Sequence, residues 1–397
     1  MSRLLLGRMR RPSWPALTWL GVLLAALVAG TVLAVHSDSA NTDVRTAADQ
    51  PKPFEGPLAS PLSSLWSSDD TVDDQRTVAS NTVITSSEHG VRGLDPQSGD
   101  ERWHYLRSNA TMCDLTVLDD VVVAIFRTTG RCNEAVALEA GSGLRRWYRN
   151  VGFSDRLSLF GSGTAAVAST PDGIAVLDAV GNAIRWRYNP PQGCELASIA
   201  VGVNGVVVLE SCTTGTTWLA EFDLYSGDQQ WRVAPPPGEV SVLGSDGVVS
   251  LLVGQELLIL SVRDGSLLSN LGAVAESGSV ESSPSSAVTT FVGQAAGQGT
   301  PLVYRSGTLY AIDPTSGAQL WSVTADGLPA DNGDAGIVVF EAGDFVTRDP
   351  LSGLELSRSD LLESTGSGGG GLEGLTRIER AGSVLIADTD DGLIAYG

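Results

Sequence analysis

The stretch Thr308-Leu-Tyr-Ala-Ile-Asp-Pro-Thr-Ser-Gly-Ala-Gln-Leu-Trp321 contains two short, mostly apolar runs on either side of a turn. Pro314 presets the backbone angle that a turn requires, and Gly317 can adopt a positive φ. The flanking runs have the length and composition of β-strands. The stretch therefore predicts a β-hairpin, and a single hairpin has too little apolar surface to be stable alone.

Copies of this hairpin occur along the chain. In five copies an acidic residue is followed eight positions later by tryptophan: Asp95 and Trp103, Glu139 and Trp147, Asp178 and Trp186, Asp223 and Trp231, and Asp313 and Trp321. Two more keep the spacing without tryptophan, namely Ser261 with Ser269 and Asp349 with Ser357. Successive copies lie about 36 to 52 residues apart, which is the period expected of one propeller blade.

An apolar hairpin precedes each copy, so each unit holds four strands, as a β-propeller blade does. The eighth third strand, Asp391–Gly397, reaches the end of the sequence before its turn. Leu62–Ser68 contains Trp66 but follows no third strand, and we predict that it supplies the missing fourth strand. The sequence thus predicts an all-β, eight-bladed propeller over residues 61–397, closed by pairing residues 62–68 with the C-terminal blade.

The N-terminal region predicts a membrane anchor. Residues 16–35 form an uncharged run of 20 residues, which as a helix spans about 30 Å and crosses a bilayer. The Arg-rich segment 1–15 predicts a cytoplasmic N-terminus and an extracytoplasmic propeller in a single-pass cell-membrane protein. A cleaved signal peptide is the alternative. Residues 36–60 are polar and predict a disordered linker.

Charge excludes some partners. The first 35 residues hold four arginines and no acid, which leaves 21 basic and 46 acidic residues, a balance of −25, in the rest. Such a domain repels nucleic acid, so we expect no nucleic-acid partner. The acidity favours solubility outside the cell membrane, with recognition of a cationic partner as the alternative. Lys52 is the only lysine, which argues against Schiff-base or P-loop lysine chemistry.

The repeat resembles that of the pyrroloquinoline-quinone (PQQ) dehydrogenase-like propellers, most closely in Leu309–Asp313 with Ser316-Gly317 and Trp321. In that family each tryptophan docks between neighbouring blades. The resemblance implies a structural tryptophan girdle of Trp66, Trp103, Trp147, Trp186, Trp231 and Trp321. The family's enzymes clamp PQQ beneath a disulfide between adjacent cysteines and use calcium held by carboxylates. This chain has no adjacent cysteine pair, so it resembles the non-enzymatic scaffold branch, and we expect no cofactor.

Four cysteines lie in the part predicted to be exported, where thiols oxidise. Three pairings are possible in principle. Cys113 and Cys132 are 19 residues apart in blade two, and Cys194 and Cys212 are 18 apart in blade four. Each pair is expected just before the first strand and just after the second, at neighbouring ends of an antiparallel hairpin. We therefore predict the disulfides Cys113–Cys132 and Cys194–Cys212.

No motif predicts chemistry. Asp388–Gly392 resembles the start of a calcium loop, but it lies where an Asp-Gly hairpin turn is expected and lacks the downstream glutamate. His89 and His104 are not accompanied by a nucleophile-elbow sequence. We predict no catalytic, cofactor or metal residues and a protein-binding scaffold in the cell envelope, with a partner of unknown identity. The alternatives are a quinoprotein oxidoreductase with PQQ in the central funnel and a small-ligand sensor.

Overall fold

The computed structural model describes residues 19, 22–24, 38–49, 58–70, 72, 75–128, 130–273, 292–362, 372 and 374–397. The predicted cytoplasmic segment 1–15 and most of the predicted membrane span 16–35 lie outside these residues. Within the described ranges, no helix has both the length and the apolar character needed to cross a bilayer. The described residues include two short 3-10 helices, at Asp38–Asn41 and Gly333–Ala335.

The strands form eight antiparallel sheets, one for each predicted blade. Two strands precede the first blade: β1 (Thr42–Arg45) and β2 (Ser64–Ser68). Blade one contains β3 (Val78–Ala79), β4 (Thr82–Ser87), β5 (Gly90–Leu94) and β6 (Glu101–Arg107). Blade two contains β7 (Thr111–Val117), β8 (Val121–Arg127), β9 (Cys132–Glu139) and β10 (Arg145–Phe153). Blade three contains β11 (Ser158–Ser162), β12 (Ala165–Thr170), β13 (Gly173–Asp178) and β14 (Ala183–Tyr188).

The next three blades repeat this arrangement. Blade four contains β15 (Cys194–Val201), β16 (Gly205–Cys212), β17 (Thr217–Asp223) and β18 (Gln229–Val233). Blade five contains β19 (Val240–Gly244), β20 (Val249–Val253), β21 (Glu256–Leu260) and β22 (Leu267–Ala273). Blade six contains β23 (Val292–Gly297), β24 (Thr300–Arg305), β25 (Thr308–Ile312) and β26 (Gln319–Thr324).

The last two blades complete the ring. Blade seven contains β27 (Ala330–Asp331), β28 (Ile337–Glu341), β29 (Asp344–Arg348) and β30 (Glu355–Ser359). Blade eight contains β31 (Leu375–Ala381), β32 (Val384–Thr389) and β33 (Gly392–Tyr396), with β2 as its fourth strand. β2 pairs antiparallel with β33, opposing Ser67 to Ile394. The predicted closure of the ring by the N-terminal strand is confirmed, and this strand begins at Ser64 rather than at Leu62.

The turns divide the propeller into two faces. Consecutive strands run antiparallel, so turns between strands one and two and between strands three and four lie at the same end of a blade. We call this end the girdle face, because its 3–4 turns receive the tryptophans. The other end, the connector face, carries the turns between strands two and three and the connections between blades.

Side chains from each blade pack against both neighbouring blades. Between blades two and three, for example, Val123 and Ile125 belong to one buried cluster with Ala166 and Leu177. Val123 and Ile125 are fully buried on β8, and their alternation directs them towards blade three. The core is therefore distributed over the interfaces between blades, so a blade has no complete core by itself.

The first blade has a fifth strand that the sequence did not predict. β1 pairs antiparallel with β6, opposing Thr42 to Arg107 and Arg45 to His104. Beyond β1, the Ala47 N–H donates a hydrogen bond to the Ser142 carbonyl of blade two at 2.9 Å. The prediction of a disordered linker over residues 36–60 is therefore wrong for residues 42–47. This segment is too short and polar to show strand periodicity, and it is stabilised by pairing with the outer edge of blade one.

Candidate interaction surfaces

Each girdle tryptophan lies between its own blade and the next one. Its indole N–H donates a hydrogen bond to the carbonyl of the second residue of the next blade's 3–4 turn. The six donor and acceptor pairs are Trp66 and Pro96, Trp103 and Ala140, Trp147 and Ala179, Trp186 and Leu224, Trp231 and Val262, and Trp321 and Pro350, at 2.7 to 3.0 Å. Both packing and hydrogen bonding therefore join consecutive blades at these positions.

The same contact explains the glycine of the five 3–4 turns that place glycine against an indole, at Gly99, Gly143, Gly227, Gly265 and Gly353. Gly353 has φ +71°, and a Cβ built on it would lie 2.7 Å from Cγ of Trp321. Gly143 has φ +70° and the same relation to Trp103, at 2.6 Å. Glycine adopts this backbone conformation at little cost and leaves free the space that the indole occupies, whereas in blade three Asn182 takes the equivalent position with φ +52°. The Ser-Gly of the repeat is therefore a packing requirement of the preceding blade.

The first residue of the turn caps it. Asp313 Oδ1 accepts hydrogen bonds from the backbone N–H groups of Thr315 and Ser316, at 3.0 and 2.7 Å. The hydrogen bonds from Ser316 and Thr315 lower the pKa of Asp313. This local hydrogen bonding is the physical reason for an acidic residue eight positions before the tryptophan.

Serine replaces tryptophan at two interfaces, with different consequences. The Ser269 hydroxyl donates a hydrogen bond to the Gly317 carbonyl, so blades five and six keep a contact with the turn. Ser357 of blade seven has no equivalent acceptor, because the third and fourth strands of blade eight are not joined by a turn. Instead, the Leu62 N–H donates to the Asp360 carbonyl, and the Leu62 carbonyl accepts from Leu362, both at 2.9 Å.

We call the interface between blades seven and eight the seam. A groove of about 570 Å³ opens here on the girdle face. Its walls include Leu58, Leu356, Ser357 and Arg380. The groove lies at the position where the other blades, blade five excepted, place an indole, so the missing tryptophan leaves an open space.

Apolar side chains are exposed beside this groove. Leu356 in the groove wall is 57% exposed, and Leu351 and Leu354 of the adjoining 3–4 turn are 65% and 67% exposed, whereas Leu362, at 55%, follows β30 on the connector face. Single exposed leucines are ordinary in soluble proteins, but a cluster of them next to a groove is typical of an interaction site. The seam is therefore the strongest candidate for protein binding among the described residues.

The structure contains both predicted disulfide bonds, Cys113–Cys132 and Cys194–Cys212. Cys194 and Cys212 are cross-strand partners on β15 and β16, as expected. Cys132, however, begins the third strand of blade two and does not follow the second, so this bond joins β7 to β9. The prediction of equivalent places in blades two and four was wrong in this detail, because an irregular register in β7 at Cys113 changes the alignment.

Two carboxylates are buried in blade four. Glu210 is fully buried and accepts hydrogen bonds from Tyr188 and Arg232. Burial, together with the hydrogen bond to Glu210, raises the pKa of Tyr188 to about 12. Glu221 is 2% exposed and opposes Trp231 across the strand pair. Its Oε1 has no hydrogen-bond partner among the described residues, and burial raises the pKa of Glu221 to about 7.

The histidines and the aspartate-rich turn are separate from one another. His89 Nδ1 contacts the Ala110 carbonyl at 2.9 Å, and His104 Nδ1 contacts Glu101 at 2.7 Å on the outer strand of blade one. Thr389 and Gly392 pair at the ends of β32 and β33, so the aspartates between them form an ordinary hairpin turn. These positions form no common site.

The residues present do not fit the quinone site of the dehydrogenases. The four cysteines pair at separations of 19 and 18 residues, not as neighbours. Across the described ranges, no three His, Cys, Asp or Glu side chains lie close enough together to hold a metal.

Comparison with known proteins agrees with the repeat. A family model described as outer membrane protein assembly factor BamB, of the PQQ-like repeat type, matches residues 131–292. This match confirms the resemblance to the PQQ-like β-propellers that the hairpin motif indicated. A comparison with curated protein sequences finds no match.

Solved structures with similar folds have low sequence identity to this chain. The computationally designed protein Ika8 has a TM-score of 0.54 and 15% identity, covering 85% of this chain and 99% of its own. BamB from Moraxella catarrhalis has a TM-score of 0.48 and 16% identity, covering 84% and 99%. The C-terminal WD40 domain of Sif2 has a TM-score of 0.48 and 11% identity, covering 86% and 99%. At such identities the similarity to Ika8 supports the propeller fold alone.

Sequence reasoning missed the surfaces that now carry the functional argument. Leu356 could have been found, since four of the six other repeats have arginine or glutamine at the equivalent position. The buried position of Glu221 has no sequence signal, because glutamate in a third strand is equally compatible with exposure.

Proposed function

We propose that this chain is a membrane-anchored extracytoplasmic β-propeller that binds protein partners in the cell envelope and has no catalytic activity of its own. The observation that carries the proposal is the seam, where a groove of about 570 Å³ adjoins a cluster of exposed leucines. Burying one such leucine against a partner contributes about 1.5 to 3 kcal/mol, so a few of them suffice for specific binding.

The rigid ring suits this role. Seven of the eight interfaces have a side-chain hydrogen bond from the girdle position to the next blade, from six tryptophans and Ser269. A surface on such a framework loses little conformational entropy when a partner binds. The partner's chemistry follows from the groove: we expect a segment that presents apolar side chains to Leu354 and Leu356.

Two features support the proposed location. Residues 16–35 contain no charged residue, which suits a membrane span, and four arginines precede them. Both disulfides are of the kind that persists in oxidising compartments outside the cytoplasm. We expect alkaline carbonate to leave the full chain in the membrane pellet and added protease to degrade the propeller on intact spheroplasts. Extraction by carbonate, or protection from protease, would contradict the location.

Cross-linking in native membranes tests the binding role. We expect the wild-type chain to cross-link to a defined partner, identified by mass spectrometry, and the Leu354→Arg/Leu356→Arg variant to lose it. Leu267→Arg is the matched control, because Leu267 is also 57% exposed on an outer strand, in blade five. Equal recovery of the partner with the double variant would contradict binding at the seam. Dye-linked alcohol oxidation in the presence of PQQ and calcium would favour the quinoprotein alternative.

A further inference from the structure

The docked N-terminal segment determines where the chain approaches the propeller. The Asn41 carbonyl accepts a hydrogen bond from the Ser108 N–H at 2.9 Å, at the connector-face end of β6. Only residues 36–40 separate Asn41 from the uncharged run, and such a segment spans at most about 20 Å. With the proposed anchor in the membrane, the connector face of blade one therefore lies close to the bilayer surface.

Blades two and three form a groove on this same face. The groove has a volume of about 460 Å³ and lies between the turn at Gly130-Arg131, the end of β10 at Phe153, and the turn at Asp172-Gly173. Arg187 of β14 completes its wall. Arg107, at the end of β6 beside the docked N-terminal segment, donates a hydrogen bond to Glu134 of blade two. Glu134 follows shortly after the Gly130-Arg131 turn that forms one wall of the groove, so the groove is next to the docked segment.

The groove presents cationic groups that have no ionic partner among the residues that the structure describes. Arg131 and Arg187 are exposed, and neither pairs with a carboxylate of a described residue. The Arg187 guanidinium lies over the Phe153 ring at 5.9 Å, which holds its position. Asp155 faces Arg127 at 3.7 Å, so Asp172 is the one lining carboxylate without a cation among the described residues. The hydroxyl of Ser154, also in the wall, has no hydrogen-bond partner in the part of the chain that the structure describes.

The charge of this region is opposite to that of the whole domain. Arg127, Arg131 and Arg187 against Asp155 and Asp172 give the groove a balance of +1, whereas residues 36–397 have a balance of −25. The Debye length is about 8 Å at physiological ionic strength, so charges within the contact region decide the sign of an interaction there. A negatively charged surface can therefore bind at this groove although the domain as a whole is acidic.

We propose that the groove between blades two and three binds the phosphate groups of anionic phospholipids in the membrane that anchors the chain. Guanidinium groups recognise phosphate through paired hydrogen bonds. The contact would hold the connector face against the bilayer and leave the seam on the girdle face open to partners. This inference rests on the proposed membrane anchor.

The test uses the full chain in lipid nanodiscs that contain a phosphatidylglycerol with a photoactivatable headgroup. We expect lipid adducts on peptides containing Arg131, Phe153 and Arg187, and none on the turn at residues 213–216 of blade four, which is on the same face. The Arg131→Ala/Arg187→Ala variant should be labelled roughly ten- to thirty-fold less. Each arginine near an anionic surface strengthens binding roughly three- to fivefold, and the variant removes two of them. The control variant Arg145→Ala/Arg263→Ala removes the same charge from the girdle face and should label normally.

Three results would overturn the proposal. They are equal labelling by a photoactivatable phosphatidylcholine, unchanged labelling of the Arg131→Ala/Arg187→Ala variant, and loss of labelling with millimolar inorganic phosphate, which would indicate a site for the free ion. Capture of an acidic protein segment at the groove in place of lipid would also overturn it. Failure of the anchor is distinguishable, because a chain that does not insert will not co-purify with the nanodiscs. Its binding to phosphatidylglycerol vesicles, measured by co-sedimentation, then decides the lipid contact separately.

Discussion

Two adjacent interfaces of the ring are closed in different ways. Between blades six and seven, Trp321 packs over Gly353 and donates a hydrogen bond to the Pro350 carbonyl at 2.9 Å. Between blades seven and eight, Ser357 replaces tryptophan, and backbone hydrogen bonds of Leu62 join the blades. The repeat therefore stabilises an interface when the next blade has a 3–4 turn to accept the indole. Blade eight has no such turn, and its interface with blade seven has a groove and exposed leucines instead.

Removing a girdle tryptophan is expected to have the largest effect on stability. Trp103 is fully buried, so Trp103→Ala leaves a cavity and an unpaired Ala140 carbonyl. We expect a loss of about 4 kcal/mol in the free energy of unfolding, measured by chemical denaturation. Ser269→Ala at the equivalent place should cost about 1 kcal/mol or less. Similar losses for both variants would show that the tryptophans do not determine the strength of the interfaces.

The disulfides act within blades and not between them. Replacing Cys194 and Cys212 by alanine opens a loop of 18 residues within blade four. On the chain-entropy model we expect a loss of about 3 kcal/mol. Because no interface is touched, cross-linking at the seam should be unchanged in this variant. A changed partner profile would show that blade four is coupled to the seam.

Glu221 makes the interface at Trp231 sensitive to pH. Its pKa is raised from 4.5 to about 7 in the folded protein, so the unfolded chain binds fewer protons between these values. Stability therefore falls as pH rises through this range, by an amount on the order of 2 to 3 kcal/mol. Glu221→Gln should remove this part of the pH dependence, measured by denaturation at pH 5 and pH 8. Glu239→Gln, at an exposed position, is the control, and identical profiles for both variants would contradict the burial argument.

The turn glycine tests the indole contact on a smaller scale. Gly353→Ala introduces a Cβ 2.7 Å from Trp321 in addition to the cost of its positive φ, and we expect a loss of about 2 kcal/mol. Gly254 has φ +61°, and a Cβ added there would meet no atom within 4 Å, so Gly254→Ala should cost about 1 kcal/mol. Thermal denaturation of both variants measures the difference, and equal losses would mean that the indole moves aside at no cost.

Much of the ring could be predicted from the sequence. The spacing of eight residues between Asp313 and Trp321 reflects a local turn and a contact with the next repeat, so it is visible in every copy. The assignment of Trp66 to the last blade followed from the same rule. Pairing of the cysteines followed from hairpin geometry, although the strand that carries Cys132 did not.

The interaction surfaces depend on contacts that local patterns do not encode. The strand at Thr42–Arg45 exists because blade one offers a free edge, and four polar residues cannot indicate this alone. The groove between blades two and three requires knowing that Arg131 and Arg187, far apart in sequence, share one face. The exposure of Leu356 depends on two tertiary features: its strand is the outer strand of blade seven, and no indole fills the adjacent space between blades seven and eight.

Site-specific photo-cross-linking tests the central claim, that the seam is the protein-binding surface, most directly. A photoreactive amino acid replaces Leu356 in one variant and Leu267 in a second variant. Both leucines are 57% exposed on outer strands. After irradiation in native membranes, we predict one discrete adduct from position 356 and none from position 267. An adduct of equal yield from both positions, or from position 267 alone, would contradict the assignment of protein binding to the seam.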